Sequence, residues 1–479
     1  MDIFSWVATA KETLRHWFSE GIFRRIFKNA GFLLSGRVAT GLIGLGTLTL
    51  SARSLGVEQF GVLVLLQTYA QVVGTMATFH SPQATVRYGA QALQRDDKQA
   101  FQSLLKFITL LDIGGGIIAV AVGFIAGPLV GPHMGWSPEI VHYAQLYTIM
   151  VFFTSSALPL GILRLLDRFD LIAAQVTVTP FLRLAGIAIA AMLHAPFWGY
   201  LLACFVAQMA GGIVLQCLAW REVYRRKMLE GFTFSVRGLS ADHPGLMRFI
   251  VFSNIYSSLL ILCGHASTFL CGYLAGPAAA GIYKIGMNFS TILTKPAELL
   301  NQSIYPEFAR LDSAGRWKEF GQLMRRGATI ALGVSTVVIS VVVFLGEPFL
   351  MLSFGDKFTA AYVPLVLLTA AAGLEVIGFP LDAALLALGR AELPLRVSTA
   401  IIFLIQLPLM VVFTRNFGPA GAGFAVLAAA ATTLTVMSFV AYNELHKRTN
   451  PGTPFPLFAR LSSRIGGLGF GPNKLRTSP

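Results

Sequence analysis

Five cations stand inside long apolar runs of the chain: Arg37, Lys106, Arg183, Lys284 and Lys295. A charge held within a bilayer is costly, and one that persists there normally faces a functional interior. Lys284 is the best placed, because Asn288, Thr291, Lys295 and Glu298 follow it at steps of 4, 3, 4 and 3. At about 3.6 residues per turn these share one helical face, which in lipid must point into the bundle or into water. Basic groups gathered in this way suit an anion.

The elements that position these residues are membrane spans. Mean hydropathy is +0.66, with 55% hydrophobic and only 13% charged residues. A helix crossing the hydrocarbon core needs roughly 20 mostly apolar residues. The sequence predicts an all-α integral membrane protein with twelve spans, near 31–52, 60–79, 105–127, 140–162, 170–192, 197–219, 249–272, 279–300, 326–345, 361–388, 397–414 and 418–442.

Of the 37 Lys and Arg, only Arg53, Lys357 and Arg415 fall in the odd-numbered connections between these spans. Basic residues stay on the cytoplasmic side, so both termini are expected there. The net charge of +14 is then largely this orientation signal plus attraction to anionic membrane lipids, and nucleic acid is not an expected partner. Residues 1–30 mix Lys11, Arg15, Arg24, Arg25 and Lys28 with Trp17, Phe18, Ile22 and Phe27, a basic amphipathic pattern suited to the interface, and no cleavable leader is visible. Cys204, Cys217, Cys263 and Cys271 all lie in spans at no metal-binding spacing, and free thiols are expected.

The polar, basic stretch 221–248 divides the chain into an N-lobe at 31–220 and a C-lobe at 249–442, followed by a basic tail at 443–479. An offset of 220 residues aligns the lobes weakly, matching Phe32 with Phe252, Gly44 with Gly264, Gly56 with Gly276 and Gly61 with Gly281. Six spans per lobe give both repeats one orientation, related by a pseudo-twofold axis along the membrane normal. Such repeats place a substrate site at their interface and allow alternating access by rocking.

Four helices carry polar faces. Span two offers Thr68, Gln71, Thr75 and Thr78; span one offers Arg37, Thr40, Gly44, Thr47 and Ser51; span seven offers Ser253, Ser257, Gly264 and Ser267, with His265 beside them. Span eight adds the Lys284 stripe. Small hydroxyl residues also mediate helix packing, so for the Ser and Thr positions both readings stay open; lysines do not pack helices. The expected substrate-binding set is Arg37, Lys284, Lys295, Asn288, Thr291, Thr68, Gln71 and Thr75. Arg183 is the deepest cation, and either pairs with Asp112 inside the N-lobe or meets substrate. Glu375 shares a face of span ten with Asp382 and is a candidate for ion coupling, while Asp382 is expected to partner Arg390 or Arg396. No nucleophile motif, phosphate loop or exposed carboxylate pair is present, and no histidine pair has metal-ligand spacing. No enzyme activity, cofactor or metal is expected.

Several stretches are similar to one family: GFLLSGRVATGLIGLGTLTLSARSLGVEQFGVLVLLQTYAQ at 31–71, AAAGIYKIGMNFSTILTKPAELLNQSIYPEFARL at 278–311 and LLALGRAELPLR at 385–396. They resemble the O-antigen and exopolysaccharide lipid flippases, the polysaccharide branch of the multidrug/oligosaccharidyl-lipid/polysaccharide exporter superfamily. The resemblance implies a MATE-like fold with a central inter-lobe cavity lined by spans one, two, seven and eight. It implies translocation of undecaprenyl-pyrophosphate-linked oligosaccharides across the bacterial inner membrane, for lipopolysaccharide or exopolysaccharide synthesis. Within it, cationic cavity residues meet the pyrophosphate and sugar, a role carried here onto Arg37, Lys284 and Lys295. Polysaccharide polymerase or export machinery would be the protein partners.

Two other functions remain as alternatives. A drug/cation antiporter of the same superfamily wants carboxylates in its cavity, yet spans one, two and seven have none and span eight has Glu298 only beside Lys295. A membrane polysaccharide polymerase is disfavoured by short outer connections and the lack of a carboxylate pair for glycosyl chemistry.

Overall fold

The computed structural model describes residues 21–78, 82–154, 157–230, 246–390 and 392–449. Most of the N-terminal segment, the middle of the 221–248 connection and the C-terminal tail lie outside the described residues. Among the described residues the chain is helical throughout. The first half runs α1 (Gly21–Ala77), α2 (Pro82–Gln94), α3 (Lys98–Val130), a 3-10 turn (Pro132–Met134), α4 (Pro138–Thr148), α5 (Met150–Thr154), α6 (Ala157–Leu165), α7 (Phe169–Met192) and α8 (Phe197–Arg225). The second runs α9 (Leu246–Ala275), α10 (Pro277–Ser313), α11 (Trp317–Phe354), a 3-10 turn (Asp356–Ala361), α12 (Tyr362–Ala387), α13 (Glu392–Ile401), a π-helical turn (Ile402–Gln406) and α14 (Leu407–Thr449).

Eight helical stretches among the described residues are long and apolar enough to cross a membrane. One of them, Glu392–Thr449, carries spans eleven and twelve, which meet at Gly418 (φ 58°). Similarly, α1 carries spans one and two across a kink at Gly56 (φ 73°). All twelve predicted spans therefore fall on helices. Span four differs in form: α4 and α5 are separated by a turn at Ile149 rather than forming one rod. Phe152 and the Phe153 carbonyl back onto Gly116 and Gly212 there, so neighbouring helices close on a stretch whose own helix is interrupted.

α3 shows why these helices belong in lipid. Its small residues Gly115, Gly116, Ala119, Gly123 and Gly127 are buried, whereas Ile113, Ile117, Ile118, Ile125 and Leu129 face outward. A soluble helix would do the reverse; here close backbone approach is the packing force and the large apolar groups meet acyl chains. Tyr69 reaches α3 through its hydroxyl, which donates to the Gly123 carbonyl at 2.6 Å.

The repeat is written most plainly in the turns. Residues with left-handed backbone occur in equivalent pairs: Gly56 and Gly276, Asp96 and Gly315, Gly135 and Gly355, Asp167 and Gly389, His194 and Gly418. Each pair closes the same connection in its half, so both halves wind alike. The repeat extends to ion pairs. Arg168 at the start of span five pairs with Glu222 at the end of span six, and Arg390 pairs with Glu444 at 3.6 Å in the corresponding places. Asp170 and Glu222 together hold the Arg168 guanidinium more firmly protonated than usual, the Asp170 hydrogen bond contributing most. Asp382, expected to partner Arg390 or Arg396, makes no ion pair with either among the described residues. Arg390 is taken by Glu444, and Arg396 by Glu392 one turn away.

The chain forms two compact units, one of residues up to Ile285 with Leu350–Ala360, the other of Gly286–Phe349 with residues from Ala361 onward. The first is cored by Leu65, Leu66, Tyr69, Tyr147, Ile187 and Cys204. In the second, Phe308, Phe320, Met324, Leu385 and Met437 pack together, and Ser335 ties α11 to α12 by donating to the Gly373 carbonyl at 3.1 Å.

Candidate functional site

Within the first unit a polar, cationic cluster assembles from six helices. Arg183 projects from α7 and donates to Gln208 of α8 at 2.7 Å, while its Nε is buried with no hydrogen-bond partner among the described residues. Tyr147 of α4 and Cys204 of α8 are both buried and lie within charge range of Arg183. Gln67 of α1 lies beside the Cys204 thiol. Lys284 of α10 is half-buried and within charge range of both Arg183 and His265 of α9.

No carboxylate pairs with Arg183 or Lys284 among the described residues. Two like charges in range of one another, in a low-dielectric surround, repel and lose hydration. An anion placed between them relieves both costs, and the unused Arg183 Nε supplies a directed donor. Chemically such a cluster can accept a negatively charged group, with amide and phenol groups alongside for neutral polar contacts.

The predicted residues fare differently one by one. Arg183 meets Gln208 and not Asp112, whose Oδ2 instead accepts the Leu158 backbone N–H at 3.3 Å. Arg183 lies midway along α7 and Asp112 beside the start of α6, so the chain separates them. α10 is one unbroken helix, which keeps Lys284, Asn288 and Thr291 at their helical steps. Asn288 and Thr291 are half-buried, and the Thr291 hydroxyl donates to the Asn288 carbonyl at 2.8 Å. The side chains of Arg37 and Lys295 lie outside the described residues. Thr68 and Thr75 are buried, and Thr68 donates back to the Val64 carbonyl at 2.8 Å; Gln71 is exposed. Glu375 is exposed on α12, with Asp382 half-buried seven residues on.

Gln67, Tyr147 and Gln208 form part of the cluster without having been singled out in the sequence. Each is a lone polar residue in an apolar span, with no stripe to mark it. The one available signal was that Arg183 required polar neighbours and span five supplied none.

A lipid-facing helical surface around a buried cationic cluster defines a multi-pass membrane protein of the MATE-like fold. The chain matches the family model described as polysaccharide biosynthesis protein over residues 26–312, and the MatE model over 251–412. It belongs to the polysaccharide biosynthesis protein family, in the polysaccharide flippase branch of its superfamily. Inner membrane protein YghQ of Escherichia coli (strain K12) is 35% identical over 349 residues, 73% of this chain and 98% of that protein. An inward-facing multidrug resistance MATE family transporter superposes with a TM-score of 0.65 at 16% identity, covering 87% of this chain and 96% of its own. The lipid II flippase MurJ, in an inward closed conformation, also gives 0.65 at 13% identity, covering 92% and 94%. The two superpositions show the MATE-like fold, and with the YghQ relative they support a multi-pass inner-membrane protein.

Proposed function

We propose that this protein is a flippase for a lipid-linked oligosaccharide, translocating an undecaprenyl-pyrophosphate-bound repeat unit across the inner membrane for cell-surface polysaccharide synthesis. The observation that carries this reading is the Arg183–Lys284 cluster, two cations in charge range with no carboxylate paired to either among the described residues. A pyrophosphate cannot cross roughly 30 Å of hydrocarbon without basic partners, and the neighbouring Gln208, Gln67 and Tyr147 suit sugar hydroxyls. Arg37, Lys295, Asn288 and Thr291 are proposed to extend the same path. Membership of the polysaccharide biosynthesis family supports a glycan cargo.

The working cycle is alternating access between the lobes at 31–220 and 249–442, joined through 221–248, with both termini cytoplasmic. The orientation follows from how few basic residues lie in the odd-numbered connections.

The test is transport of purified undecaprenyl-pyrophosphate oligosaccharide in proteoliposomes, against export of a fluorescent organic cation. Glycolipid movement is expected, with no cation efflux. Cation efflux without glycolipid movement would instead establish the antiporter, whose carboxylates would be Glu375 and Asp382 on α12.

A further inference from the structure

We propose that Arg53, Phe60 and Phe358 form the extracytoplasmic gate of this transporter, a reading that rests on the alternating access and the topology just given. Three connections meet within the first unit: the turn between spans one and two, the turn between spans seven and eight, and the segment between spans nine and ten. All three are odd-numbered, so all emerge on one membrane face, the outer one.

The contacts there are specific. The Arg53 guanidinium donates to the Leu352 carbonyl, 299 residues away, in the last turn of α11, where carbonyls have no partner within their own helix. The rings of Phe60 and Phe358 meet edge to face, centroids 6.1 Å apart at 77°. Phe354 stands 6.0 Å from Phe358 on its other side. All three rings are at most 3% exposed. Immediately beside them the chains approach too closely for any side chain. A Cβ at Gly61 would strike the Pro277 carbonyl, and one at Gly281 would come within 3.1 Å of the Gly61 Cα. Gly61 and Gly281 are the repeat-related pair of the sequence, so equivalent positions of the two repeats touch each other.

This closure lies directly outward of the cationic cluster. Gln67 follows Phe60 by seven residues on α1, about 10 Å inward along a helix rising about 1.5 Å per residue. Lys284 follows Gly281 by three residues on α10. A cargo released outward must pass between these elements. What closes the exit is one arginine-to-carbonyl hydrogen bond and an aromatic trio, contacts that can separate as a unit without unfolding a helix.

The experiment places one cysteine, Gln71→Cys, one turn beyond Gln67 at an exposed position of α1, in a chain whose native cysteines are alanine. A membrane-impermeant maleimide is added to intact cells or to inverted vesicles. With the gate residues intact, labelling from outside should be slow and labelling from inside fast. Phe60→Ala with Phe358→Ala should raise the outside rate at least three-fold at comparable abundance. Should the double variant fail to accumulate, Arg53→Gln serves alone, with a rise in the same direction. An outside rate equal to the parent's in a protein of normal abundance overturns the gate. Arg53→Cys reports the side: labelling only from inside overturns both the topology and the placement of the gate. Because maleimide labelling needs no cargo, a gate that responds in a protein unable to move the glycolipid would sink the flippase reading and leave the gate standing.

Discussion

The two halves of this chain agree in their turns and disagree in their interiors. Among the described residues five left-handed turns of the first half have a partner in the second, as Gly135 has Gly355 and Asp167 has Gly389. Just past Asp167 and Gly389 the equivalence is 222 residues, and carried along the fifth span it matches Arg183 with Ile405. Arg183 thus has no charged counterpart at the matched position. Left-handed backbone strongly disfavours β-branched residues by sterics and favours glycine, aspartate or histidine, so those positions tolerate little change. A position inside a span only has to be compatible with lipid or with its neighbours, and one half could acquire a charge without disturbing the winding. Function lies in the asymmetry.

The sharpest way to break the comparison is to remove that asymmetry. Arg183→Gln should abolish glycolipid transport per inserted molecule, whereas Ile405→Val at the matched position should leave it close to normal. A hydrogen bond to a charged group contributes about 1.5–3 kcal/mol, so losing one such contact alone predicts a drop of roughly ten- to hundred-fold. Transport by Arg183→Gln at the native rate, at equal abundance, would return Arg183 to a purely structural role with Gln208.

Lys284→Gln should come next, since Lys284 is half-buried and contributes charge from the edge of the same cluster. Lys284→Arg should retain more transport than Lys284→Gln, though not all of it, because the planar guanidinium fits differently from an ammonium. Export normalised to inserted protein separates this from a snorkelling lysine, for which both variants would transport alike.

These two cations also show what the sequence could and could not reveal. Lys284 was legible because Asn288 and Thr291 repeat at helical steps within one element, and periodicity is a property of one segment. Arg183 stood out as a buried charge, but its partner Gln208 lies on another helix, and no spacing rule connects two spans. For the same reason the sequence left Asp112 and substrate open as alternatives for Arg183. The spans themselves were legible because about 20 apolar residues can do little else. The break at Ile149 in span four was not, because the residues around it include no glycine or proline to mark it. The glycine repeat at Gly56 and Gly276 could be read directly, while the Asp167 and Gly389 pair was hidden, since aspartate reaches left-handed backbone as glycine does and the letters differ.

A smaller effect should appear where the halves agree. Glu222 is 4% exposed and faces Arg168, Arg225 and Arg226; Glu444 faces Arg390 and Lys447 in a more open setting. Breaking a buried pair leaves an uncompensated charge, whereas an exposed pair contributes only about 0–1 kcal/mol. Glu222→Gln should therefore lower the melting temperature of the purified protein clearly more than Glu444→Gln does. Equal shifts would mean that the two clasps are equivalent in strength as well as in position.

The smallest effect is expected at Thr68. Its hydroxyl lies on the polar face predicted for span two, yet it is only 2% exposed and donates to the Val64 carbonyl of its own helix. Such a back-bonded hydroxyl adds little to helix stability, and valine matches the shape of threonine while losing that bond. Thr68→Val should keep glycolipid transport within about two-fold of the parent, an effect below the roughly 1 kcal/mol of a typical hydrogen bond. Gln71→Ala, at the exposed position one turn on, should cost more if this face lines the cargo path. Measuring both at equal abundance in proteoliposomes decides between packing and contact on the same helix. A large loss at Thr68 with none at Gln71 would reverse the assignment and move the cargo path to the buried side of α1.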